Sequence, residues 1–246
     1  MSRPSRPDAR ERRRLRGAKA IAAALEAGEP LRWLALPEGA LDPALEALAA
    51  RAEAAGARVV RVAERRGRRL GADSGPVALV GPAPEADLDE VMARGGAVWL
   101  LVGASYAGNV GTAIRTAEGS GADGVYVAGD FDHEQRRDAR RASMRADRYL
   151  PVAWEDASRV VGAARRAGKT LVAIEESGDR APWQLDLRGS LLFVVGGEAE
   201  GVPPALLRRC DAVARIPMAG FVSSYNLQAA VAAVAAERLR QRGQAP

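Results

Sequence analysis

The chain has 246 residues, 48% apolar and 27% charged, with a net charge of +5. That composition supports one large or two modest folded domains and excludes a disordered or fibrous chain. A single cysteine, Cys210, excludes a disulfide framework and a cysteine metal cage within one chain, and no apolar run reaches membrane-spanning length.

Residues 1–16 carry seven arginines and no apolar periodicity, which predicts a basic, solvated tail that is also compatible with an RNA-binding arm. Residues 17–82 read as a small α/β unit. A helix over 18–28 ends at Gly28, a strand follows at 31–36, a helix at 43–56, strands at 57–63 and 76–80, and a basic loop or short helix at 64–75. Segment 81–87 is Pro- and Gly-rich and reads as a linker.

A second unit, 89–246, begins near Asp89. Strands are predicted at 97–102, 124–129, 170–175, 191–197 and 212–218. Helices are predicted at 109–122, 157–168, 204–210 and 225–242, and a further one within 134–148, which carries six arginines. Strands alternating with helices predict a mostly parallel sheet covered on both faces.

Only Lys19 and Lys169 are lysines, so nearly all the positive charge is arginine, whose planar fork suits phosphate. The balance permits a polyanionic partner without proving one. The N-terminus lacks the apolar core of a signal peptide. The expectation is a cytoplasmic protein with no membrane segment and no metal.

Three loops each follow a strand and lead toward a helix, where parallel sheets bind ligands. The first holds Asn109, Gly111 and Arg115 with the spacing N-x-G-x-x-x-R, which puts Gly111 and Arg115 one helical turn apart on one face. The second holds Gly196, Gly197, Glu198 and Gly201, without the Lys-Ser/Thr of a phosphate loop. The third, 216–230, crowds Ser223, Ser224, Tyr225 and Asn226 at the start of an apolar helix. Taken singly, each loop reads better as a capped helix or a polar turn than as a ligand site. Asp130, Asp132 and His133 read as a polar surface loop rather than a metal site. Glu175 and Glu176 read either as a solvated strand end or as ribose contacts.

Together, N-x-G-x-x-x-R, G-x-E-x-x-G and Ile216-Pro217-Met218 followed by Ser224-Tyr225-Asn226-Leu227 resemble the SpoU (TrmH) branch of the SPOUT methyltransferases. The resemblance covers about 97–241, and RASMRA (141–146) is similar to the family's segment before its third strand. It implies an α/β fold with a C-terminal deep trefoil knot in the loops around Gly197–Gly201 and Ile216–Leu227. It also implies a homodimer that binds S-adenosylmethionine and methylates a ribose 2′-hydroxyl of ribosomal or transfer RNA.

Residue by residue, the resemblance implies catalytic roles for Arg115, Asn109, Glu198 and Asn226. It implies cofactor binding by Gly197, Gly201, Ile216, Met218, Ser224, Asn226 and Leu227. The family pattern S-L-N-V-S departs here to Ser224-Tyr225-Asn226-Leu227-Gln228, which keeps a base methyltransferase open as an alternative; a non-catalytic RNA-binding or ribosome-assembly factor is another. Order and size of elements in 17–82 are similar to an L30e-like RNA-binding domain, whose basic face would include Arg65, Arg66, Arg68 and Arg69.

Overall fold

The computed structural model describes residues 13–63, 75–81, 87–221 and 224–243. The expected tail through residue 12, most of the basic 64–75 segment, most of the 81–87 linker and Ser223 lie outside these. The chain divides into two compact units, Met1–Ala83 and Pro84–Pro246.

In the first unit, four strands form a sheet in the order β1 (Arg13–Arg16), β4 (Val77–Val80), β2 (Leu31–Pro37), β3 (Arg58–Val62). Strands β2 and β3 are parallel, and β4 runs antiparallel to both β1 and β2. Helices α1 (Ala18–Glu26) and α2 (Pro43–Ala54) pack Ile21, Leu48 and Ala52 against Leu34 and Leu36. Asp42 caps α2 by accepting from the Leu45 N–H, and Pro43 follows at the first helical position. Strand β1 corrects the expectation of a tail through residue 16. Its burial alternates, and Leu15 packs on the core while the flanking arginines face outward. One apolar residue among arginines is too short a pattern to read as period two, yet on an edge strand it suffices.

The second unit is a six-stranded, all-parallel sheet in the order β10 (Ala212–Ala214), β8 (Thr170–Ile174), β9 (Leu191–Gly196), β5 (Ala97–Val102), β6 (Gly124–Ala128), β7 (Val152–Trp154). Strand β10 stops at Ala214, short of the expected 212–218: its ladder with β8 ends at the Ala214–Ile174 pair, and the Arg215 N–H turns to the Arg180 carbonyl at 2.8 Å. Strand β5 is buried on both faces, and its side chains alternate between two cores. Trp99 and Leu101 join Phe193 and Val195 beneath α4 (Ala107–Gly119), α5 (His133–Ala142) and α8 (Leu227–Gln241). Val98, Leu100 and Val102 join Leu192 and Val194 beneath α3 (Leu88–Met92), α6 (Ala157–Arg166) and α7 (Pro204–Leu207). Trp99 and Phe193 stack across neighbouring strands with ring centroids 4.5 Å apart. Each large side chain so buried contributes roughly 1.5–3 kcal/mol.

Two details fix how these layers meet. A Cβ on Gly111 would lie 2.4 Å from the Ala139 carbonyl oxygen and 2.5 Å from the Ala142 Cβ, so glycine lets α4 and α5 touch backbone to backbone. At the amino end of the sheet the buried Lys169 ammonium donates to the Arg94 carbonyl at 2.8 Å, the Gly96 carbonyl at 3.0 Å and Ser190 Oγ at 3.0 Å. It thereby satisfies three acceptors where β5, β8 and β9 begin. Asp132 caps α5 in a reciprocal box with Gln135, which accounts for one carboxylate of the Asp130–His133 loop.

Candidate functional site

The site lies beyond the carboxyl ends of β5, β8 and β9. The Gly197 N–H donates to the Val102 carbonyl at 2.7 Å, one residue past the last ladder pair, Val102 with Gly196. A Cβ on Gly197 would meet the Gly103 carbonyl oxygen at 2.2 Å, so the two strand ends approach closely only because Gly197 lacks a side chain.

Beyond Gly197 the chain turns back on itself. Gly201 donates its N–H to the Gly197 carbonyl at 3.1 Å, and the two residues form an antiparallel bridge. Gly201 has φ +63°, in the left-handed region that glycine enters without a steric penalty. Glu175, at the end of β8, holds this turn: its Oε2 accepts from the Val202 N–H at 2.7 Å. Its own N–H donates to the Ala214 carbonyl at 2.9 Å, so the strand ladder positions the carboxylate. Glu175 is a positioning residue that the sequence left open between solvation and ribose contact; its signal was its place at the carboxyl end of a buried strand.

The third loop closes the site. Tyr225 donates its hydroxyl to the Pro217 carbonyl at 3.4 Å. Asn226 caps α8, its side-chain oxygen accepting from the Gln228 N–H at 3.0 Å. Leu227, the first residue of α8, is buried.

These three segments enclose a cavity of about 280 Å³. Gly197, Glu198, Gly201, Ile216, Met218, Ser224 and Leu227 all line it, together with Tyr225. Its apolar wall is Ile174, Val195, Ile216, Met218, Leu227 and Ala230, and its acidic rim is Glu175, Glu176, Glu198 and Glu200. Such a lining suits a ligand with an apolar body and a cationic end.

The other expected site residues stand differently. Asn226 does not line the cavity, because its side chain is used in the helix cap. Asn109 does not line it either, but its amide donates to Glu198 Oε1, joining the first loop to the second. Arg115 is exposed on α4 and forms no side-chain hydrogen bond or ion pair among the described residues, so the structure leaves its guanidinium available to a ligand. Gly111, one turn before it, serves helix packing rather than ligand approach.

Known proteins resemble this chain over most of its length. Residues 97–236 match the SpoU rRNA Methylase family. The 23S rRNA (guanosine-2′-O-)-methyltransferase RlmB of Pseudomonas aeruginosa is 33% identical over 222 residues, covering 85% of this chain and 88% of the relative. Among solved structures, the SpoU methyltransferase AviRb of Streptomyces viridochromogenes is similar at a TM-score of 0.58 and 30% identity, covering 94% of this chain and 90% of that one. The AdoMet-bound rRNA methyltransferase of Sinorhizobium meliloti is similar at a TM-score of 0.59 and 26% identity, covering 94% and 87%. With the glycine turn, its glutamates and the capped final helix in one cavity, the chain belongs to the SpoU rRNA methylase family.

Proposed function

We propose that this protein transfers a methyl group from S-adenosylmethionine to a ribose 2′-hydroxyl of ribosomal RNA. The observation that carries the reading is the cavity itself: a close-packed glycine turn, an apolar wall and four carboxylates at the mouth of a parallel sheet. Relatives named as 23S rRNA guanosine-2′-O-methyltransferases, covered over most of their length, support RNA as the acceptor.

The residues present fit S-adenosylmethionine. Ile216, Met218 and Leu227 offer apolar contact for an adenine, and the Gly197–Gly201 backbone offers polar groups for its edge and ribose. Glu175, Glu176, Glu198 and Glu200 place negative charge where a ligand carrying ammonium and sulfonium charges is favoured. When bound, the cofactor supplies an electrophilic methyl on sulfur.

The chain's own part is positioning. A 2′-hydroxyl is a weak nucleophile that must be aligned and must lose its proton. Arg115, free and exposed, holds the phosphate beside the target ribose and orients the hydroxyl; a guanidinium is a poor proton acceptor. Asn109 fixes Glu198 and so holds α4, which carries Arg115, against the glycine turn. Asn226 sets the start of α8 and with it the Ser224–Leu227 wall.

The same reading takes the Gly197–Gly201 and Ile216–Leu227 loops as a trefoil knot, supported by the insertion of β9 between β8 and β5. It takes a second copy of the chain as partner, supported by the exposed Tyr106, Phe221 and Tyr225 in the loops around the site. It takes residues 17–82 as an L30e-like RNA-binding domain, supported by their two-helix, mixed-sheet build, and the cytoplasm as the place where the RNA is met. No helix among the described residues is long and apolar enough to cross a membrane.

The test is incubation of the protein and its Arg115→Ala variant with labelled S-adenosylmethionine and ribosomal RNA, followed by digestion to nucleosides. Label in a 2′-O-methylnucleoside, absent with the variant, is expected. Label on a base would overturn the ribose assignment, and no cofactor binding by calorimetry would overturn the enzyme reading.

A further inference from the structure

Helix α5 carries arginine on two faces, and the structure treats them differently. Arg137 and Arg141 are neutralised on the helix by Glu134 and Asp138. Arg136 and Arg140, also four residues apart, turn instead to the indole of Trp154 on the edge strand β7. Their guanidinium carbons lie 5.4 Å and 5.3 Å from the ring centroid. Arg136 is further fixed by its Nε–H, which donates to the Phe131 carbonyl at 2.8 Å, and it has no carboxylate partner among the described residues. Arg140 has only Asp147, at 3.9 Å.

Arg136 and Trp154 line a cavity of about 360 Å³ at the carboxyl ends of β6 and β7. The two acids beside it are already engaged: Glu155 pairs with Arg159 at 2.7 Å, and Asp156 caps α6 through the Arg159 N–H at 3.0 Å. Two arginines pre-stacked on an aromatic ring lose little side-chain freedom on binding. They keep outward N–H edges for an anion while the ring neutralises no charge. Strand β7 lies three neighbours from β9, so the pair sits about 14 Å along the sheet edge from the cofactor cavity, on the same carboxyl side.

We propose that Arg136 and Arg140, held by Trp154, form a phosphate-binding subsite for the backbone of the substrate RNA strand leading toward the cofactor cavity. The proposal rests on the RNA methyltransferase reading and deepens it by naming where the acceptor is gripped. Phosphate contacts of this kind give affinity and salt dependence rather than sequence choice.

The test is binding of a fluorescent 23S rRNA fragment as a function of salt. It compares the full chain with Arg136→Ala/Arg140→Ala, Arg136→Lys/Arg140→Lys and Trp154→Phe, and uses Arg137→Ala/Arg141→Ala as reference. Cofactor binding by calorimetry is measured on each. The alanine pair is expected to lose roughly 10- to 100-fold in RNA affinity and to reduce the slope of log affinity against log salt by about 2, with cofactor affinity unchanged. The lysine pair keeps the slope with a smaller loss, and the reference pair stays within about threefold of wild type. Wild-type affinity and slope in the alanine pair, with methylation intact, would overturn the subsite alone. A wild-type chain that neither binds nor methylates RNA would overturn the subsite and the function together. If the alanine pair fails to fold, the lysine pair decides: an unchanged affinity there removes the role of the stacked forks.

Discussion

Asn109 and Glu198, 89 positions apart in the chain, are joined side chain to side chain, the amide donating to the carboxylate. This bond ties the helix that carries Arg115 to the turn that walls the cavity. Asn109→Ala removes a hydrogen bond to a charged group, for which about 1.5–3 kcal/mol is typical. Methyl transfer is expected to fall roughly 10- to 100-fold, and thermal stability to fall with it. Arg115→Ala is expected to lose turnover while keeping cofactor affinity, because Arg115 does not line the cavity. Calorimetry with S-adenosylmethionine beside a methylation assay reads both, and a loss of cofactor affinity in Arg115→Ala would contradict the assignment.

The glycine turn tolerates no side chain. In Gly197→Ala the new methyl meets the Gly103 carbonyl, and in Gly201→Ala it meets the Glu175 carboxylate at 2.5 Å in a left-handed backbone. Each is expected to cost about 1–3 kcal/mol or more through overpacking and to weaken cofactor binding at least tenfold. Glu175→Gln, which keeps an acceptor for the Val202 N–H, is expected to be milder than Glu175→Ala. Urea unfolding and cofactor titration of the four variants test the ordering.

Lys169 is predicted to be a stability residue with no part in catalysis. Lys169→Met keeps the stem and removes the donor from three acceptors at the amino ends of the central strands. Losing these three bonds, with the Gly96 carbonyl still accepting from the Leu191 N–H, is expected to cost about 1–3 kcal/mol. A urea midpoint unchanged from wild type would show that water replaces the ammonium.

Burial pushes the Cys210 thiol up to about 11 from its ordinary 9.0, with Asp211 adding to the rise. The thiol also donates to the Leu206 carbonyl at 3.4 Å. The native protein is therefore expected to resist alkylation at pH 8, while the unfolded chain reacts. Between pH 9 and 11 the unfolded chain gives up this proton first, so the thiol's contribution to stability is complete below 9 and is lost as pH rises through 11. Cys210→Ala is expected to flatten that part of the pH–stability curve.

Much of the architecture was legible because β5, β8 and β9 are apolar runs bounded by glycine or charge, and two of the helices between them, α5 and α6, start at capping aspartates. The short elements were not. Strand β7 is three residues long and α3 five, too few for either period to show, and both exist because a neighbour supplies the missing half of their contacts. At the site, the glycine turn and the third loop were readable from residue type and order. The partner of Asn109 and the role of Glu175 were not, since each depends on a contact across the fold that local sequence does not encode. Asn226 shows the reverse: the simple reading of a helix cap describes its side chain.

Every residue lining the glutamate-rimmed cavity lies at position 174 or later, although the central strand β5 is complete by residue 102. During synthesis, β5, β6 and β7 therefore emerge with one edge of β5 uncovered, waiting for β9 to be added between it and β8. Arg115 is made long before the cavity takes shape. A nascent chain has no such cavity until Leu227 and the first turn of α8 have emerged, so a methyl donor bound there, as proposed, can be taken up only after every strand of the sheet has been made.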